Sequence, residues 1–143
     1  MTEGLKFIVH VVNDSNGWGR GFVTALSSRW SAPEAAYRRW VRSSEFTLGT
    51  IQMVPVESDV AVINVLAQHG YRSAKNPTPL DYDALDRALG STADLAVRLG
   101  ASIHAPRLGA GLAGGSWAQI EALLIKHFID RNLSVTIYDL PTT

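Results

Sequence analysis

The sequence predicts an α/β fold, a β-sheet with helices layered against it. Three observations carry that prediction. Residues 5–12 (LKFIVHVV) form a near-continuous apolar run with β-branched members, the pattern of a strand buried on both faces. Stretches with apolar residues at spacings of three and four alternate with such runs, as helices would. Two glycine-rich segments each follow a strand pattern and open a helix pattern.

The elements read in order as follows. The first strand stops at Asn13-Asp14-Ser15-Asn16-Gly17, a cluster of turn formers. Phe22, Ala25, Leu26 and Trp30 then mark a helix face. Ser31-Ala32-Pro33-Glu34 predicts a second helix start, with Ser31 as cap and Glu34 in the capping-box position. Residues 48–56 and 59–67 read as strands around the turn Glu57-Ser58-Asp59. After a polar stretch from Gln68 to Pro79, residues 80–99 read as one long helix. Leu85, Ala88, Leu89, Leu95, Ala96 and Leu99 form its inner face. Gly90 is its weak point, at a cost of roughly 1 kcal/mol relative to alanine. Ser102 to Ala105 is a short strand, Ser116 with Gln119 caps a helix that buries Ile120, Leu123, Leu124 and Phe128, and residues 134–138 are the last strand. The expected organisation is one domain over 1–143, without repeat or linker.

Composition limits the chemistry. A chain of 143 residues is long enough to bury roughly 68% of its unfolded surface. Thirteen basic residues balance thirteen acidic ones, which argues against nucleic acid as the main ligand and against an electrostatic membrane anchor. There is no cysteine, which excludes disulfides, thiolate metal sites and a cysteine nucleophile. No His/Asp/Glu cluster has metal-ligand spacing, and neither a metal nor a cofactor is expected. No apolar run approaches 18 residues and no leader pattern is present, so a cytoplasmic location is expected.

The glycine segments are Asn16-Gly17-Trp18-Gly19-Arg20-Gly21 and Gly109 to Gly115. Glycine lets a ligand approach the backbone, and free N–H groups at a helix start attract anions. Two such loops at equivalent strand ends could hold a diphosphate, since α/β ligands bind outside the carboxyl ends of strands. Tight strand-to-helix turns are the plainer explanation of either loop alone. Neither segment is a P-loop, which needs GxxxxGK[ST], and Gly17-Trp18-Gly19-Arg20-Gly21 is not GxGxxG.

His10-Val11-Val12-Asn13-Asp14 with Gly17-Trp18-Gly19-Arg20-Gly21 resembles the first ligand loop of a macrodomain. Pro106-Arg107-Leu108-Gly109-Ala110-Gly111-Leu112 with Trp117 resembles the second, and Thr136-Ile137-Tyr138-Asp139-Leu140 the last strand. The branch most resembled is that of the terminal ADP-ribose protein glycohydrolase. The resemblance runs from about residue 8 to residue 140. It implies a three-layer α/β/α sandwich with a central mixed sheet that binds ADP-ribose. Gly19, Arg20 and Gly21 would lie along the diphosphate and distal ribose, and Gly109, Ala110, Gly111, Leu112 and Ala113 would form the other phosphate wall. Tyr138 and Leu140 would flank the adenine, and Asn13 would face the distal ribose. Trp18 is expected to cover the distal ribose or the diphosphate, with packing against the Phe22 helix as the alternative.

Three departures from the family pattern matter. The family's first strand, ending in Gly-Asp, is expected to be missing. The branch's catalytic lysine falls on Gln68 and its aspartate on Ala113, so the covalent mechanism does not transfer. Asn13, Gln68 and His69 are the remaining catalytic candidates, with amides that can place a water and an imidazole that can serve as general base. His10 and His104 read as core histidines, His127 as a surface one, and Arg38, Arg39 and Arg42 as a solvated basic face. The expected function is hydrolysis of ADP-ribosyl esters, by removal of ADP-ribose from protein Glu or Asp or by deacylation of O-acyl-ADP-ribose. A non-catalytic ADP-ribose reader and an ADP-ribose-1''-phosphate phosphatase are the alternatives. The expected partner is ADP-ribose or an ADP-ribosylated protein, with neither nucleic acid nor membrane; the sequence leaves the oligomeric state open.

Overall fold

The computed structural model describes residues 4–19, 21–110 and 113–139. The elements follow the expected order: β1 (Lys6–Asn13), α1 (Phe22–Arg29), α2 (Ala32–Val41), β2 (Ile51–Glu57), β3 (Val60–Gln68), α3 (Tyr82–Leu99), β4 (Ser102–Pro106), α4 (Trp117–His127) and β5 (Val135–Tyr138). A short 3₁₀ turn, Ile129–Arg131, follows α4. The five strands form one sheet in the order β2-β3-β1-β4-β5. Only β2 is antiparallel to its neighbour, so the sheet is mixed.

Alternation along β1 sorts its side chains between two layers. Phe7 and Val9 face a core shared with Leu85, Leu89, Ile103, Ile120 and Phe128, which draws in α3 and α4. Val12 joins Leu26, Tyr37, Trp40 and Leu66 in a second core beneath α1 and α2. Burying side chains of this size stabilises by about 1.5–3 kcal/mol each, which is why the most apolar strands, β1 and β3, lie inside the sheet. The result is the α/β/α sandwich that the sequence predicts.

Helix ends differ from expectation in two places. Asp81 caps α3 by accepting from the Ala84 N–H at 3.0 Å. Ser31 and Ser116 make no side-chain capping bond. The Ser31 backbone is already helical (φ −83°, ψ −19°), whereas a capping side chain needs an extended backbone to reach back. The Ser116 N–H instead donates to the Tyr82 hydroxyl at 2.8 Å, tying α4 to α3. Gly90 has a packing reason, since a Cβ there would lie 3.3 Å from the His127 ring. That imidazole is only 16% exposed and bonds Asp86 across the helix pair, so His127 is an interhelical tie and not a free surface group.

Candidate functional site

Parallel pairing puts the carboxyl ends of β3, β1 and β4 side by side. The segments that follow them therefore share one edge of the sheet, and both glycine-rich loops lie there.

The first loop is built by Asn13. Its Oδ1 accepts from the N–H groups of Ser15 (2.9 Å) and Gly17 (3.1 Å), and its Nδ2 donates to the Gly17 carbonyl at 3.1 Å. The buried Tyr37 hydroxyl lies 2.7 Å from the Asn13 carbonyl oxygen and 3.0 Å from Oδ1, and burial pushes that phenol up to about 12. Both ends of the Asn13 amide thus bond within the loop. Asn13 shapes the loop with its oxygen and one N–H, and the second Nδ2 N–H has no partner among the described residues. Arg38 braces the loop from outside, donating to the carbonyl and side chain of Asn16, so this arginine is not part of a purely solvated face.

Trp18 turns inward. It is 7% exposed, its ring lies edge-on to His10 (5.3 Å between centroids) and tilted against Tyr37 (5.4 Å), and its Nε1 donates to Ser27 Oγ at 2.7 Å. The expected cover over a ribose is therefore corrected: the indole anchors the loop from below, because the apolar layer under α1 takes it up. Beyond it the backbone is open. Gly19 is exposed, and a Cβ there would meet no described atom within 4 Å. Gly21 likewise faces open space, with φ +82°.

The second loop is a closed ring. The Gly115 N–H donates to the Gly109 carbonyl at 2.8 Å across its neck. A Cβ on Gly115 would lie 2.6 Å from that carbonyl oxygen and 2.6 Å from Leu80 Cδ2. Backbone at the neck cannot yield, so Gly115→Ala is expected to cost about 3 kcal/mol; a denaturation curve matching wild type would show the neck to be slack. Ala110 is half-buried on the loop. Ala113 is 5% exposed, and its carbonyl accepts from the Leu80 N–H at 3.1 Å. The side chain and carbonyl of Ala113 are both committed to the protein interior, so its backbone N–H is the group left for the expected ligand wall. Arg20, Gly111, Leu112 and Leu140, named above for the ligand walls, lie outside the described residues.

Gln68 and His69 end β3 beside the first loop. A bulge between Val12 and Asn13 sets Asn13 opposite Gln68, and the Asp14 N–H donates to the Gln68 carbonyl at 2.9 Å. Gln68 Nε2 donates to the Gly70 carbonyl at 3.1 Å, leaving Oε1 without a hydrogen bond among the described residues. The His69 imidazole is 74% exposed, and its Nδ1 lies 2.6 Å from Asp14 Oδ2. Asp14 Oδ1 accepts from the Gly70 N–H at 2.8 Å. The hydrogen bond and charge of Asp14 hold the imidazole above its usual range. Despite partial burial, the Gly70 N–H and His69 hold the Asp14 carboxyl below its own. Tyr71 follows, exposed, with its hydroxyl against Gly17, where any side chain would collide with it. Sequence reasoning missed Asp14 and Tyr71 as site residues. The available signal for Asp14 was its position just past β1, level with a histidine just past β3.

At the far side of the edge, Tyr138 is half exposed and stacks on His104 (6.0 Å, 22° between planes). His104 is half-buried and bonds Ser102 and the Tyr138 hydroxyl, so it faces the outer part of the sheet, not a core. Arg107 lies over the Trp117 ring at 5.1 Å and its Nε donates to Asp139 at 2.8 Å. Among the described residues no group of three His, Cys, Asp or Glu could hold a metal ion, and no helix is long and apolar enough to cross a membrane.

No protein-family model matches the chain. The chain is 32% identical over 143 residues to mouse chromodomain-helicase-DNA-binding protein 1-like, an alignment that takes in 94% of this chain and 16% of that protein. It therefore spans about one-sixth of the length of that curated relative. Among solved structures, a Bacteroides thetaiotaomicron protein of unknown function superposes with a TM-score of 0.93 at 45% identity, covering 98% of this chain and 90% of that one. The macrodomain protein from Streptomyces coelicolor superposes with a TM-score of 0.86 at 46% identity, covering 99% of this chain and 92% of that one. With that identity over nearly the full length of both chains, and the paired glycine loops in place, the chain belongs to the macrodomain family.

Proposed function

We propose that the chain binds ADP-ribose at this edge and hydrolyses ADP-ribosyl esters with a positioned water. The observation that carries the binding half is Gly19. Its φ is not positive and among the described residues no neighbour would crowd a side chain, so the bare, exposed backbone leaves room for a ligand to lie against it. The fold match to Thermosipho africanus DarTG, solved in complex with ADP-ribose, supports the choice of ligand (TM-score 0.80, 15% identity, 95% of this chain and 38% of that one). The second loop supplies the opposite wall, and Tyr138 offers an exposed aromatic face for a base.

The hydrolytic half rests on His69 and Gln68. His69 presents an imidazole to solvent beside the first loop, and the preceding residue, Gln68, has a side-chain carbonyl oxygen without a hydrogen bond among the described residues. In the reaction, a water held by Gln68 Oε1 attacks the ester carbonyl carbon while His69 Nε2 takes its proton. The acyl–oxygen bond breaks, Nε2 returns the proton to the departing ribose oxygen, and the products are ADP-ribose and a carboxylic acid. Asn13 contributes by shaping the loop.

Titration calorimetry tests binding, with AMP and ADP as controls. ADP-ribose is expected to bind with a Kd of about micromolar order, near −8 kcal/mol, and AMP much more weakly. Gly19→Val is expected to weaken ADP-ribose at least tenfold without moving the Tm; equal affinity in that variant would sink the binding site. Release of ADP-ribose from a glutamate-linked peptide tests turnover. Binding without release would make the chain a reader of ADP-ribose, and phosphate release from ADP-ribose-1''-phosphate would redirect the chemistry.

A further inference from the structure

We propose that Asp14 is a positioning residue for the hydrolysis, fixing the His69 ring so that Nε2 is the basic nitrogen turned toward the ligand edge. This rests on the hydrolytic reading above and deepens it.

The argument is geometric. Asp14 spends one carboxylate oxygen on His69 Nδ1 (2.6 Å) and the other on the Gly70 N–H (2.8 Å). Ser15 Oγ also donates to Oδ1 at 3.2 Å. The same carboxylate thus grips a side chain and the next residue's backbone, which fixes both its own rotamer and the ring plane. The His69 backbone is pinned on either side: its N–H donates to the Pro79 carbonyl at 2.8 Å and its carbonyl accepts from Asn76 Nδ2 at 2.9 Å. A carboxylate accepts only, so in the neutral ring the proton sits on Nδ1 and the lone pair on Nε2. Nε2 has no hydrogen-bond partner among the described residues. A carboxylate that holds an imidazole in one tautomer, with the other nitrogen free, is the arrangement used to present a general base. The charged groups facing the ring are Asp14 from the first loop and Asp81 at the start of α3. Both raise its proton affinity, so the neutral ring is available only on the alkaline side of its usual range.

Asp14→Asn removes the charge and the acceptor on Nδ1 while conserving volume, and an amide oxygen can still accept from Gly70. The test is the pH profile of kcat for release of ADP-ribose from a glutamate-linked peptide, for wild type, Asp14→Asn and His69→Ala. The His69 ring is titrated in parallel by NMR, and each Tm is measured. The expected result is a wild-type acid limb above pH 6.5. In Asp14→Asn that limb should move at least half a unit lower, the plateau kcat should fall tenfold or more, and ADP-ribose affinity should stay within threefold. An Asp14→Asn plateau within twofold of wild type, or an unmoved His69 titration, would overturn the proposal. If wild type releases no ADP-ribose, the proposal falls with the hydrolytic reading. A downward NMR shift in Asp14→Asn would then assign that failure to the chemistry and not to the pairing.

Discussion

Trp18→Ala is expected to destabilise the protein by about 3–5 kcal/mol, the range for deleting a buried aromatic from a core. The indole is 7% exposed and fills the space between His10 and Tyr37. Truncation leaves a void under the first loop, and the Ser27 hydroxyl loses its donor. Tm should fall by roughly 10 °C or more for a chain of this size. Affinity for ADP-ribose should fall severalfold even where the variant is folded, because the backbone from Gly17 to Gly19 loses its anchor. Trp18→Phe keeps most of the packing and gives up the Ser27 bond, so its cost should be nearer 1 kcal/mol. Calorimetric unfolding of both variants decides the matter. Equal melting temperatures for Trp18→Ala and wild type would mean that the ring is not part of the core.

Acid should destabilise the same layer through His10. This side chain is fully buried, and burial lowers its pKa from 6.5 to about 4, against a smaller opposing pull from the hydrogen bond to Asn64. Its partner is Asn64 Oδ1 at 2.5 Å; Asn64 Nδ2 donates to Gln52 Oε1 and the Pro33 carbonyl, and Gln52 Nε2 donates to the Ala36 carbonyl. This polar chain crosses β1, β3 and β2 and ends on α2. In the unfolded chain the histidine takes up a proton near pH 6.5; in the folded chain it resists until about pH 4. Between those values the unfolded state binds more protons, so stability rises with pH and its His10 contribution is complete only above about 6.5. The loss on going down to pH 4 is about 3 kcal/mol. Asp14 and Asp86, whose carboxyls are held below 3.8, act mainly in stronger acid, whereas His104, also lowered by burial, adds a loss of the same sign below pH 6.5. Urea unfolding at pH 7 and pH 4.5 measures the slope. His10→Gln, which can still bond Asn64, should flatten it; an unchanged slope would assign the acid sensitivity to another group.

Strands, helices and both glycine loops were legible because each depends on local pattern. The run LKFIVHVV needs no partner to announce a buried strand, and Asp81 to Leu99 carries its own cap and face. What escaped depends on register or direction. Asp14 and His69 are far apart in sequence and meet only because β1 and β3 run parallel with a bulge after Val12. Periodicity says that both strands exist but not which residues lie level at their ends. Trp18 was legible as unusual but not in its direction, since a glycine loop leaves the side-chain orientation to the packing beneath. Asn13 was drawn to the site by its place after β1, but residue type alone does not reveal that its amide oxygen and one N–H shape the turn. Ala113 shows the same limit: its place in the loop motif gave no sign that its carbonyl would serve Leu80.

The central place of β1 has a consequence for how the chain acquires its shape. Of the five strands β1 is made first, yet its two neighbours, β3 and β4, arrive roughly fifty and roughly a hundred residues later. At translation rates of about 5–20 residues per second, this very apolar segment waits on the order of 3–10 s with neither edge covered and on the order of 5–20 s before both can be. Long-range parallel pairing is also slow to nucleate, because loop closure must be met before the contacts reward it. Nascent chains stalled before residue 102 should therefore engage chaperones that hold exposed strands. The site is therefore built in two stages: the imidazole after β3 can meet the first glycine loop once β3 is made, and the second loop joins only when β4 covers the other edge of β1.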